Sequence, residues 1–489
     1  MDDGEPIPAM GAQAPVRWDR LPVHLDAERV FEAVFSGERL AFWLDAGIHA
    51  GTGSSYLGAA SNARPSWLLE GETLVRLVGD ERMPVAGTFG AALRSWLHEH
   101  RVASDRPDGS RGCPLGWIGW LGYEYGARKL GVPAARSRYP DAAMLAADRV
   151  IEIDHETGHA VLWFFDDADG RAWATEMAER LRSLAESAGA GDGAGADAPP
   201  THARRSSAEL PEIPRPSEPS WRHSGHDYLD MIAECQASIR AGDAYQLCLT
   251  NEVQVSTAAD PLAVYKRLRR ISRAVHGALI RVDDVFVLSA SPELFLQVYE
   301  GVAVTRPVKG TRRRGASPDE DAALKLELGA DPKERAENLM IVDLMRNDLG
   351  RVARTGGVSV PGLLEVETHT HVHQLVSTVR AELAQGADAL DVLQACFPAG
   401  SMTGAPKLSA MGILHRLERG PRGVYSGCLG RLGLDGSAEL AMVIRTIVMA
   451  GGSASIGTGG GITALSVPEN ELAETRLKAA ALLKALGHP

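Results

Sequence analysis

The 489-residue sequence is poor in cysteine and lacks long apolar runs, and each absence excludes a class of protein. Its five cysteines are odd in number, lie far apart and form no Cys-x-x-Cys pair, so they indicate neither a disulfide framework nor a zinc site. No run of about 18 uninterrupted apolar residues occurs, and the N-terminus has neither the basic start nor the apolar core of a signal peptide. We therefore expect buried thiols and a cytoplasmic protein without a membrane segment.

An excess of basic charge is also missing. Lysine and arginine number 51 against 63 acidic residues, and the net charge of −12 argues against a general affinity for nucleic acid or anionic membranes. The local exception is TRPVKGTRRRG at 305–315, with five cationic side chains. From its composition, this segment is a nucleic-acid patch, a solvated turn or the setting of one reactive lysine.

Changes in composition divide the chain along its length. Residues 1–15 form a predicted flexible tail, and 186–221, rich in Gly, Ala, Pro and Ser, form a predicted flexible linker. The linker separates an N-terminal α/β region at 16–185 from a C-terminal domain at 222–487. With 45% hydrophobic residues, the chain can bury one large core or two medium ones.

Strand patterns cluster and helix patterns come in blocks. GWIGWLGYEYG (116–126) and AVLWFF (160–165) are predicted strands, and 171–187 has the apolar period of a helix. The second region begins with a predicted helix at 226–243, which is followed by a series of strand patterns at 247–306. This order favours an α+β fold with largely antiparallel sheets over a βαβ repeat.

Two predicted helix starts carry paired carboxylates. In DPKERAENLMIVDLMRNDLGRV (331–352), Asp331 is a predicted N-cap before Pro332, and Glu334 and Glu337 lie one turn apart on one face. Acids in a first helical turn also complement the helix dipole, so a single pair does not indicate a metal site.

The last helix repeats this arrangement. Ser466 or its neighbour is the predicted cap, Pro468 follows, and Glu471 and Glu474 have the same i,i+3 spacing. If both helix starts faced one cavity, their hard oxygen ligands would suit Mg²⁺ shared with an anionic substrate. The spacing alone does not show that they converge.

Two segments of small residues are candidate anion sites. In SIGTGGGITA (455–464), three consecutive glycines would let backbone N–H groups approach a carboxylate or phosphate, or would form only a strand-to-helix turn. In FPAGSMTGAPK (397–407), small donors and one cation favour an anion about as well as they favour a plain helix start. The candidate residues are Gly459, Gly460 and Gly461 in the first segment and Thr403, Gly404 and Lys407 in the second.

A possible cysteine nucleophile is a weaker candidate. YSGCLG (425–430) is similar to the cysteine elbow of glutamine-hydrolysing amidotransferases. The elbow needs glycine two residues before the cysteine and here has Ser426, and no His-x-Glu segment follows. We therefore expect that this chain does not make ammonia from glutamine itself.

Seven segments occur in the order found in chorismate-utilising enzymes, and together they carry a resemblance to that family. They are DAYQLCLTN, SASPELFL, TRPVKGTRRRG, ENLMIVDLMRNDLGRV, FPAGSMTGAPK, YSGCLGRLGLDGSAELAMVIRT, and GTGGGIT with ENELAETRLKA. The chain resembles the large components of aminodeoxychorismate synthases and, a little less, those of anthranilate synthases, densely over 225–487. The resemblance implies two face-to-face β-sheets with helices outside and a Mg²⁺-dependent reaction on chorismate.

The resemblance also implies roles by position. The residues that match the family's acidic metal site are Glu334, Glu337, Glu471 and Glu474. Those that match substrate-binding positions are Tyr425 and Arg445 for the side-chain carboxylate, Gly459, Gly460 and Gly461 for the ring carboxylate, and Gln246, Thr403, Gly404 and Lys407 in the shared motifs.

Three residues decide which reaction the resemblance implies. Glu293 matches the general acid for the departing C4 hydroxyl, a role that needs a carboxyl protonated near neutral pH. Gln246 stands where water-adding members have a lysine base, so we expect a nitrogen nucleophile. Lys309 stands where anthranilate synthases have a small residue, and in aminodeoxychorismate synthases this lysine is proposed to add to C2 before ammonia attacks C4. We expect desolvation and nearby cations to lower the pKa of Lys309.

Two further positions depart from the family pattern. Gln374 stands where anthranilate synthases, and many aminodeoxychorismate synthases, have a histidine, and its presence disfavours an aromatic product. The adjacent His373 is a candidate substitute. Asp45 and Ala46 lie near the position where relatives bind tryptophan, which leaves such a site open.

The sequence thus predicts an enzyme that converts chorismate and ammonia to 4-amino-4-deoxychorismate, with Mg²⁺ and with ammonia delivered by a separate glutamine amidotransferase subunit. One alternative is amination at C2, which gives anthranilate or 2-amino-2-deoxyisochorismate. The other is a non-enzymatic nucleic-acid-binding protein. The product would serve p-aminobenzoate and folate synthesis or an antibiotic pathway, and the sequence decides neither this nor the oligomeric state.

Overall fold

The computed structural model describes residues 15–47, 53–102, 112–189, 211–272, 274–369 and 372–488. The predicted tail, apart from Pro15, and the centre of the predicted linker at 190–210 lie outside these ranges. Within them, no helix is long and apolar enough to cross a membrane. All five cysteines are described, and they are buried and unbridged, as expected from their spacing.

Short strands dominate the described chain. They are β1 (Val16–His24), β2 (Leu40–Asp45), β3 (Ser54–Ala59), β4 (Ser66–Glu70), β5 (Thr73–Val78), β6 (Glu81–Val85), β7 (Gly116–Leu121), β8 (Ala142–Ala147), β9 (Arg149–Asp154), β10 (His159–Phe165), β11 (Ser220–Trp221), β12 (Gln246–Ser256), β13 (His276–Val282), β14 (Val285–Ser291), β15 (Leu294–Tyr299), β16 (Val302–Thr305), β17 (Val308–Arg313), β18 (Ala353–Thr368), β19 (Val372–Leu383), β20 (Gly404–Ala405), β21 (Cys428–Gly433), β22 (Ala438–Met442), β23 (Thr446–Ala450) and β24 (Ser453–Ile462).

Helices separate groups of these strands. They are α1 (Ala27–Val34), α2 (Phe89–Glu99), α3 (Tyr123–Lys129), α4 (Ala168–Gly189), α5 (Gly225–Arg240), α6 (Pro261–Ile271), α7 (Pro318–Ala330), α8 (Pro332–Gly350), α9 (Ala389–Cys396), α10 (Gly400–Thr403), α11 (Lys407–Glu418) and α12 (Pro468–Ala485). The helices predicted at 171–187, 226–243 and 331–352 are confirmed as α4, α5 and α8.

The strands form two twelve-stranded sheets. Sheet 1 has the order β1-β10-β9-β3-β2-β13-β14-β23-β24-β12-β11, with β20 also on β12. Sheet 2 has the order β17-β19-β16-β15-β22-β21-β7-β8-β4-β5-β6, with β18 also on β19. Throughout the described residues, paired strands run antiparallel. The α+β class with antiparallel sheets is therefore confirmed.

Side-chain alternation along the strands explains how the sheets pack. On β2, Phe42 lies in a core shared with sheet 2 residues such as Trp117, whereas the next residue, Trp43, lies in a second core with Phe31 of α1 and Leu482 of α12. Successive residues of a strand face opposite sides of the sheet. Sheet 1 thus packs against sheet 2 on one face and against helices on the other.

Both sheets contain strands from before and after the predicted linker. In sheet 1, β2 pairs with β13, and in sheet 2, β7 pairs with β21. The end of the predicted linker lies against the fold, because the Ser217 N–H donates to Ser256 O (2.9 Å) and Ser220–Trp221 forms β11. The predicted division of the chain into two regions by a linker at 186–221 therefore stays a prediction.

The prediction of one strand over 116–126 is wrong in its second half. The strand ends at Leu121 and a helix begins at Tyr123. Gly122 lies at the change of direction, where an added Cβ would stand 2.8 and 2.9 Å from two carbonyl oxygens. Aromatic residues with high strand propensity occur in both halves, so the local pattern does not reveal the helix.

The glycines at 459–461 do not form a strand-to-helix turn, which is one of the two possibilities that their sequence leaves open. They lie inside β24, where Gly459 is opposite Thr250 and Gly461 opposite Cys248 on β12. A Cβ at Gly459 would overlap Leu249 O on the partner strand. These glycines therefore permit a close strand pairing, and the turn comes later, at 463–467.

Candidate active site

Lys309 on β17, which pairs with β19 in sheet 2, is the centre of an acidic cluster. Its side chain is 18% exposed, and its Nζ is 3.7 Å from Glu337 Oε2 on α8. Burial acts against its ammonium form, but the carboxylates of Glu337, Glu293 and Glu334 outweigh that effect and raise the pKa of Lys309. The expected lowering of this pKa is therefore wrong for the metal-free protein.

The arginines near Lys309 explain this difference, because they are paired with acids. Their ion pairs are Arg306–Glu367, Arg312–Asp331 (3.0 Å), Arg312–Glu327 (3.0 Å), Arg313–Glu320 and Arg314–Asp321 (2.7 Å). A guanidinium beside a carboxylate contributes little net potential to a neighbouring lysine. The segment 305–315 is thus a series of ion pairs around one half-buried lysine.

The two acidic helix starts are built differently. At α8, the Asp331 side chain accepts the N–H groups of Lys333 (2.9 Å) and Glu334 (3.1 Å), which confirms the predicted cap before Pro332. At α12, the cap position is Val467, which has no side-chain acceptor. Ser466 instead donates its hydroxyl to Glu471 Oε1 (2.7 Å). This serine therefore positions a carboxylate and does not cap the helix.

The structure brings the two pairs of carboxylates together and surrounds them with cations. The ion pairs are Arg312–Glu334 (3.8 Å), Lys309–Glu337 (3.7 Å), Lys333–Glu337 (3.8 Å), Lys333–Glu471 (3.0 Å) and Lys478–Glu474 (2.8 Å). Burial raises the pKa values of Glu334 and Glu337, with Lys309 opposing the effect at Glu337. At Glu474, burial is outweighed mainly by Lys478, and the pKa is lowered.

The four carboxylates offer the hard oxygen ligands that Mg²⁺ prefers. No group of three or more His, Cys, Asp or Glu side chains in the described ranges stands close enough together to hold a metal ion. The Lys333 ammonium lies between Glu337 and Glu471 and forms an ion pair with each carboxylate. The donor set therefore fits Mg²⁺ in its chemistry, and Lys333 contacts two of the four carboxylates.

Glu293, in the connection between β14 and β15, has the protonation state expected of a general acid. Burial raises its pKa to about 7, with the positive charge of Lys309 acting in the opposite direction. Its carboxylate accepts a long hydrogen bond from Ser401 Oγ (3.5 Å). Glu293 is thus close enough to Lys309 for their charges to interact, and it exchanges protons near neutral pH.

Gln246 begins β12 beside the same cluster. It is buried, and its Oε1 has no hydrogen-bond partner within the described part of the chain. A Cβ at Gly461 would overlap the Gln246 amide nitrogen and lie 3.5 Å from Glu337 Oε2, and one at Gly460 would lie 3.1 Å from Glu471 Oε2. The glycines of β24 therefore leave space for an amide and two carboxylates.

Tyr425 and Arg445 lie beside the α12 end of this cluster. The Tyr425 ring fills the space where Gly457 has no side chain, and the Arg445 Nη1 donates to Lys478 O (3.2 Å). Burial lowers the pKa of Arg445, with Tyr425 and Glu474 opposing the effect. Arg445 has φ +52°, in the left-handed region that costs a non-glycine residue about 1 kcal/mol. The fold holds this guanidinium in a fixed direction.

The residues of FPAGSMTGAPK divide into two groups. Thr403 is buried and donates to Ala399 O (3.1 Å), and Gly404 lies opposite Leu247, next to Gln246. Lys407 instead donates to Asp348 Oδ2 (2.6 Å) and Cys396 O (3.2 Å). The substrate-binding role of all three stays a prediction, and the charge of Lys407 is already neutralised within the fold.

His373 does not face the cluster in the way a substitute for the family histidine would. Its ring is buried, with Nε2 2.9 Å from Asp321 Oδ1 and Nδ1 3.1 Å from Thr368 Oγ1. Gln374 is the next residue on β19 and therefore faces the opposite side of that strand. His373 thus holds α7 against sheet 2.

Asp45, near the possible tryptophan site, belongs to a separate ionic cluster. Its carboxylate pairs with Arg269 (2.5 Å) and accepts a hydrogen bond from the Tyr265 hydroxyl (3.3 Å). The Arg269 guanidinium also lies 4.3 Å from the centre of the Trp43 ring. Asp45 is therefore saturated by groups of this chain.

The sequence reasoning missed Lys333 and Lys478, and it gave Ser466 the role of a helix cap in place of its hydrogen bond to Glu471. Both lysines are four residues from a carboxylate of the same helix, Lys333 before Glu337 and Lys478 after Glu474, and this i,i+4 spacing was an available signal. The contact of Lys333 with the other helix had no such signal, because α8 and α12 are far apart in the chain.

The fold first defines a class of protein. The solved anthranilate synthase component I from Streptococcus pneumoniae TIGR4 superimposes with a TM-score of 0.70 at 24% identity, covering 91% of this chain and 92% of that one. The chain therefore has the anthranilate synthase component I type of fold. Within that class, residues 72–484 match the chorismate binding enzymes, and the chain belongs to that family.

Two curated relatives refine the comparison. The aminodeoxychorismate synthase of Streptomyces pristinaespiralis is 42% identical over 97% of this chain and 66% of its own length. The aminodeoxychorismate synthase of Streptomyces griseus is 42% identical over 95% of this chain and 63% of its own length. The chain thus spans about two thirds of these relatives or slightly less.

Proposed function

We propose that the chain binds chorismate and aminates it at C4 with ammonia, giving 4-amino-4-deoxychorismate. Lys309 is the observation that carries this proposal, because a primary amine stands among carboxylates at the centre of the site, 3.7 Å from Glu337. The names of the two 42% identical relatives support the same reaction.

In the proposed reaction, Lys309 Nζ loses a proton and forms a bond to C2 of chorismate. The two ring double bonds shift, and the C4–O bond breaks. The proton passes to solvent, to which the Lys309 side chain is 18% exposed, because Glu337 beside the amine is assigned to the metal. Ammonia then bonds to C4, the double bonds shift back, and the lysine leaves C2 as the amine.

Glu293 donates the proton that lets the C4 hydroxyl leave as water. A carboxyl with a pKa of about 7 is an efficient acid near neutral pH, because it is still partly protonated and yet releases its proton readily. Its electrostatic interaction with Lys309 supports a location near the same substrate. The acid and the nucleophile are then separate groups, as the two bond changes at C4 and C2 require.

Gln246 supports a nitrogen nucleophile. Its buried Oε1 lacks a hydrogen-bond partner among the described residues, and leaving such an acceptor unsatisfied costs about 1–3 kcal/mol. Ammonia has N–H groups to donate to this oxygen, whereas a neutral amide cannot remove a proton from water. We therefore assign Gln246 to holding ammonia or the amino group of the product.

Glu334, Glu337, Glu471 and Glu474 would hold Mg²⁺. When bound, the metal would supply positive charge that lowers the repulsion between the dianionic substrate and the acidic site. Arg445 and Tyr425 would bind the side-chain carboxylate of chorismate. The ring carboxylate would accept hydrogen bonds from backbone N–H groups of residues 457–462, the part of β24 that does not pair with β23. These assignments follow the family's motifs.

Ammonia would come from a separate glutamine amidotransferase subunit. Cys428, in the segment similar to a cysteine elbow, is buried within β21, and burial raises the pKa of its thiol, which disfavours a nucleophilic thiolate. A cytoplasmic location and a role in p-aminobenzoate and folate synthesis, or in a related antibiotic pathway, belong to the same proposal.

Two rival functions remain for comparison. Amination at C2 would give anthranilate or 2-amino-2-deoxyisochorismate, and it does not need a lysine that adds to the ring. Nucleic-acid binding through 305–315 is disfavoured because its arginines are paired with acids of the chain. Tight, salt-sensitive RNA or DNA binding in a filter assay would support that function.

The test is to incubate the purified chain with chorismate, Mg²⁺ and an ammonium salt, which removes the need for the partner. The products are then identified by mass spectrometry and NMR. Amination at C4 is expected. An amine at C2 or an aromatic product would refute the assignment, and Lys309→Ala serves as the control for reaction catalysed by the lysine.

A further inference from the structure

Lys333 is the cation that connects the two acidic helix starts. It lies in the first turn of α8, and its Nζ is 3.0 Å from Glu471 Oε1 on α12 and 3.8 Å from Glu337 Oε1 on its own helix. Lys309 is attached to a strand, and Lys478 pairs with Glu474 on its own helix. Among the residues that the structure describes, Lys333 is thus the lysine whose Nζ lies within 4 Å of carboxylates from both helix starts.

Glu471 has little freedom while Lys333 is present. Its side chain is only 4% exposed, and its Oε1 accepts the Ser466 hydroxyl (2.7 Å) together with the Lys333 ammonium (3.0 Å). Its Oε2 faces the glycine strand beside Gly460. A metal that approached Oε1 would therefore meet a positive charge already in contact with that oxygen.

The Lys333 side chain is able to leave. It is 40% exposed, whereas the carboxylates that it joins are almost fully buried. A long, flexible side chain at a helix surface reorients at small cost, since its charge regains water. The side chains of Glu337 and Glu471 are buried and cannot turn into solvent in this way, so they would stay in place as ligands.

We propose that Lys333 is a displaceable cation that weakens Mg²⁺ binding by competing with the metal for Glu471 and Glu337. The inference rests on the Mg²⁺ site of the proposed function. Metal affinity is then set by a residue that is not itself a metal ligand.

The test measures Mg²⁺ binding to the purified chain without substrate, by isothermal titration calorimetry. Lys333→Met keeps the length of the side chain and removes its charge, and it is expected to lower the Kd for Mg²⁺ by about tenfold or more, because a charge a few ångströms from a divalent ion is removed. Lys333→Arg keeps the charge and is expected to bind Mg²⁺ about as weakly as the unaltered chain.

Arg335→Met is the matched control. Arg335 is exposed on α8 and donates to Gly329 O (3.0 Å), so its loss changes the net charge equally without touching the acidic cluster. A change of Kd under about twofold is expected, because exposed charges are screened at a distance. An equal decrease of the Kd for Mg²⁺ in Arg335→Met and Lys333→Met would overturn the proposal, since the effect would then follow from the net charge of the chain and not from the position of Lys333.

A second readout is thermal melting of the metal-free proteins. Lys333→Met leaves buried carboxylates with one partner fewer, so it is expected to melt below the unaltered chain, and Mg²⁺ should raise its Tm by more. An unchanged Kd in Lys333→Met overturns the role of Lys333 and leaves the metal site intact. If the unaltered chain and all variants fail to bind Mg²⁺, the metal site of the proposed function is refuted, and this inference with it.

Discussion

Glu293 is expected to make the rate of amination, once corrected for the ionisation of Lys309, fall as the pH rises through about 7. Burial raises the pKa of this carboxyl to about 7, against the opposing charge of Lys309. One pH unit below that value roughly nine-tenths of the acid is protonated, and one unit above it roughly one-tenth. Because only the protonated form donates to the departing hydroxyl, kcat/KM for chorismate divided by the neutral fraction of Lys309 should fall roughly tenfold across those two units. The division is needed because the neutral fraction of an amine whose pKa is raised increases about tenfold per pH unit in this range.

The assay must separate this effect from the titration of ammonia. The fraction present as free NH₃ rises with pH and would hide the loss of the acid. Total ammonium is therefore adjusted at each pH to keep free NH₃ constant, with Mg²⁺ saturating, and initial rates are measured at low chorismate concentration. Under these conditions kcat/KM reports the ionisation of the free enzyme.

Two variants identify the group that titrates. Ser401→Ala removes a hydrogen bond that lowers the pKa of Glu293, so the fall in rate should move to higher pH. Glu293→Gln should lower the rate by about 100-fold to 10,000-fold and remove the fall. A flat corrected profile for the unaltered chain, or the same fall in Glu293→Gln, would refute the assignment of the acid.

Further predictions concern the nucleophile, the metal ligands and the glycine strand. Lys309→Ala should lose most activity with ammonium while still binding Mg²⁺ in calorimetry; unchanged turnover would remove lysine from the mechanism. Glu471→Gln should weaken Mg²⁺ binding by about tenfold or more, because one charged ligand is lost, and an unaltered titration would exclude Glu471 from the site. Gly461→Ala should displace the Gln246 amide and lower kcat/KM while the Tm changes little; a normal rate would show that this amide has no role.

The parts of the site that sequence predicts correctly are those that depend on neighbours along the chain. Asp331 caps α8 because an acceptor side chain before a proline-initiated helix satisfies free N–H groups within three residues. The i,i+3 spacing of Glu334 and Glu337 follows from the helix itself. Such features need no knowledge of the rest of the fold.

The glycines of β24 show where this reasoning stops. Their sequence is compatible with a turn, and the decisive contact is with Leu249, on a strand about 200 residues earlier in the chain. The same limit applies at 116–126, where Gly122 changes the direction of the chain at a close approach to distant carbonyl oxygens. Pairing across such distances fixes both structures.

The electrostatics of Lys309 depend on partners in the same way. The sequence shows Arg312, Arg313 and Arg314 close by and predicts a lowered pKa, but the sequence does not show that these arginines pair with acids of α7 and the α8 cap. The lysine instead responds to the carboxylates of the proposed metal site, which raise its pKa. Because Glu337 contacts both Lys309 and Lys333, the nucleophile and the metal site share one carboxylate. A charge brought to Glu337 therefore acts on the amine that the proposed reaction requires in its neutral form.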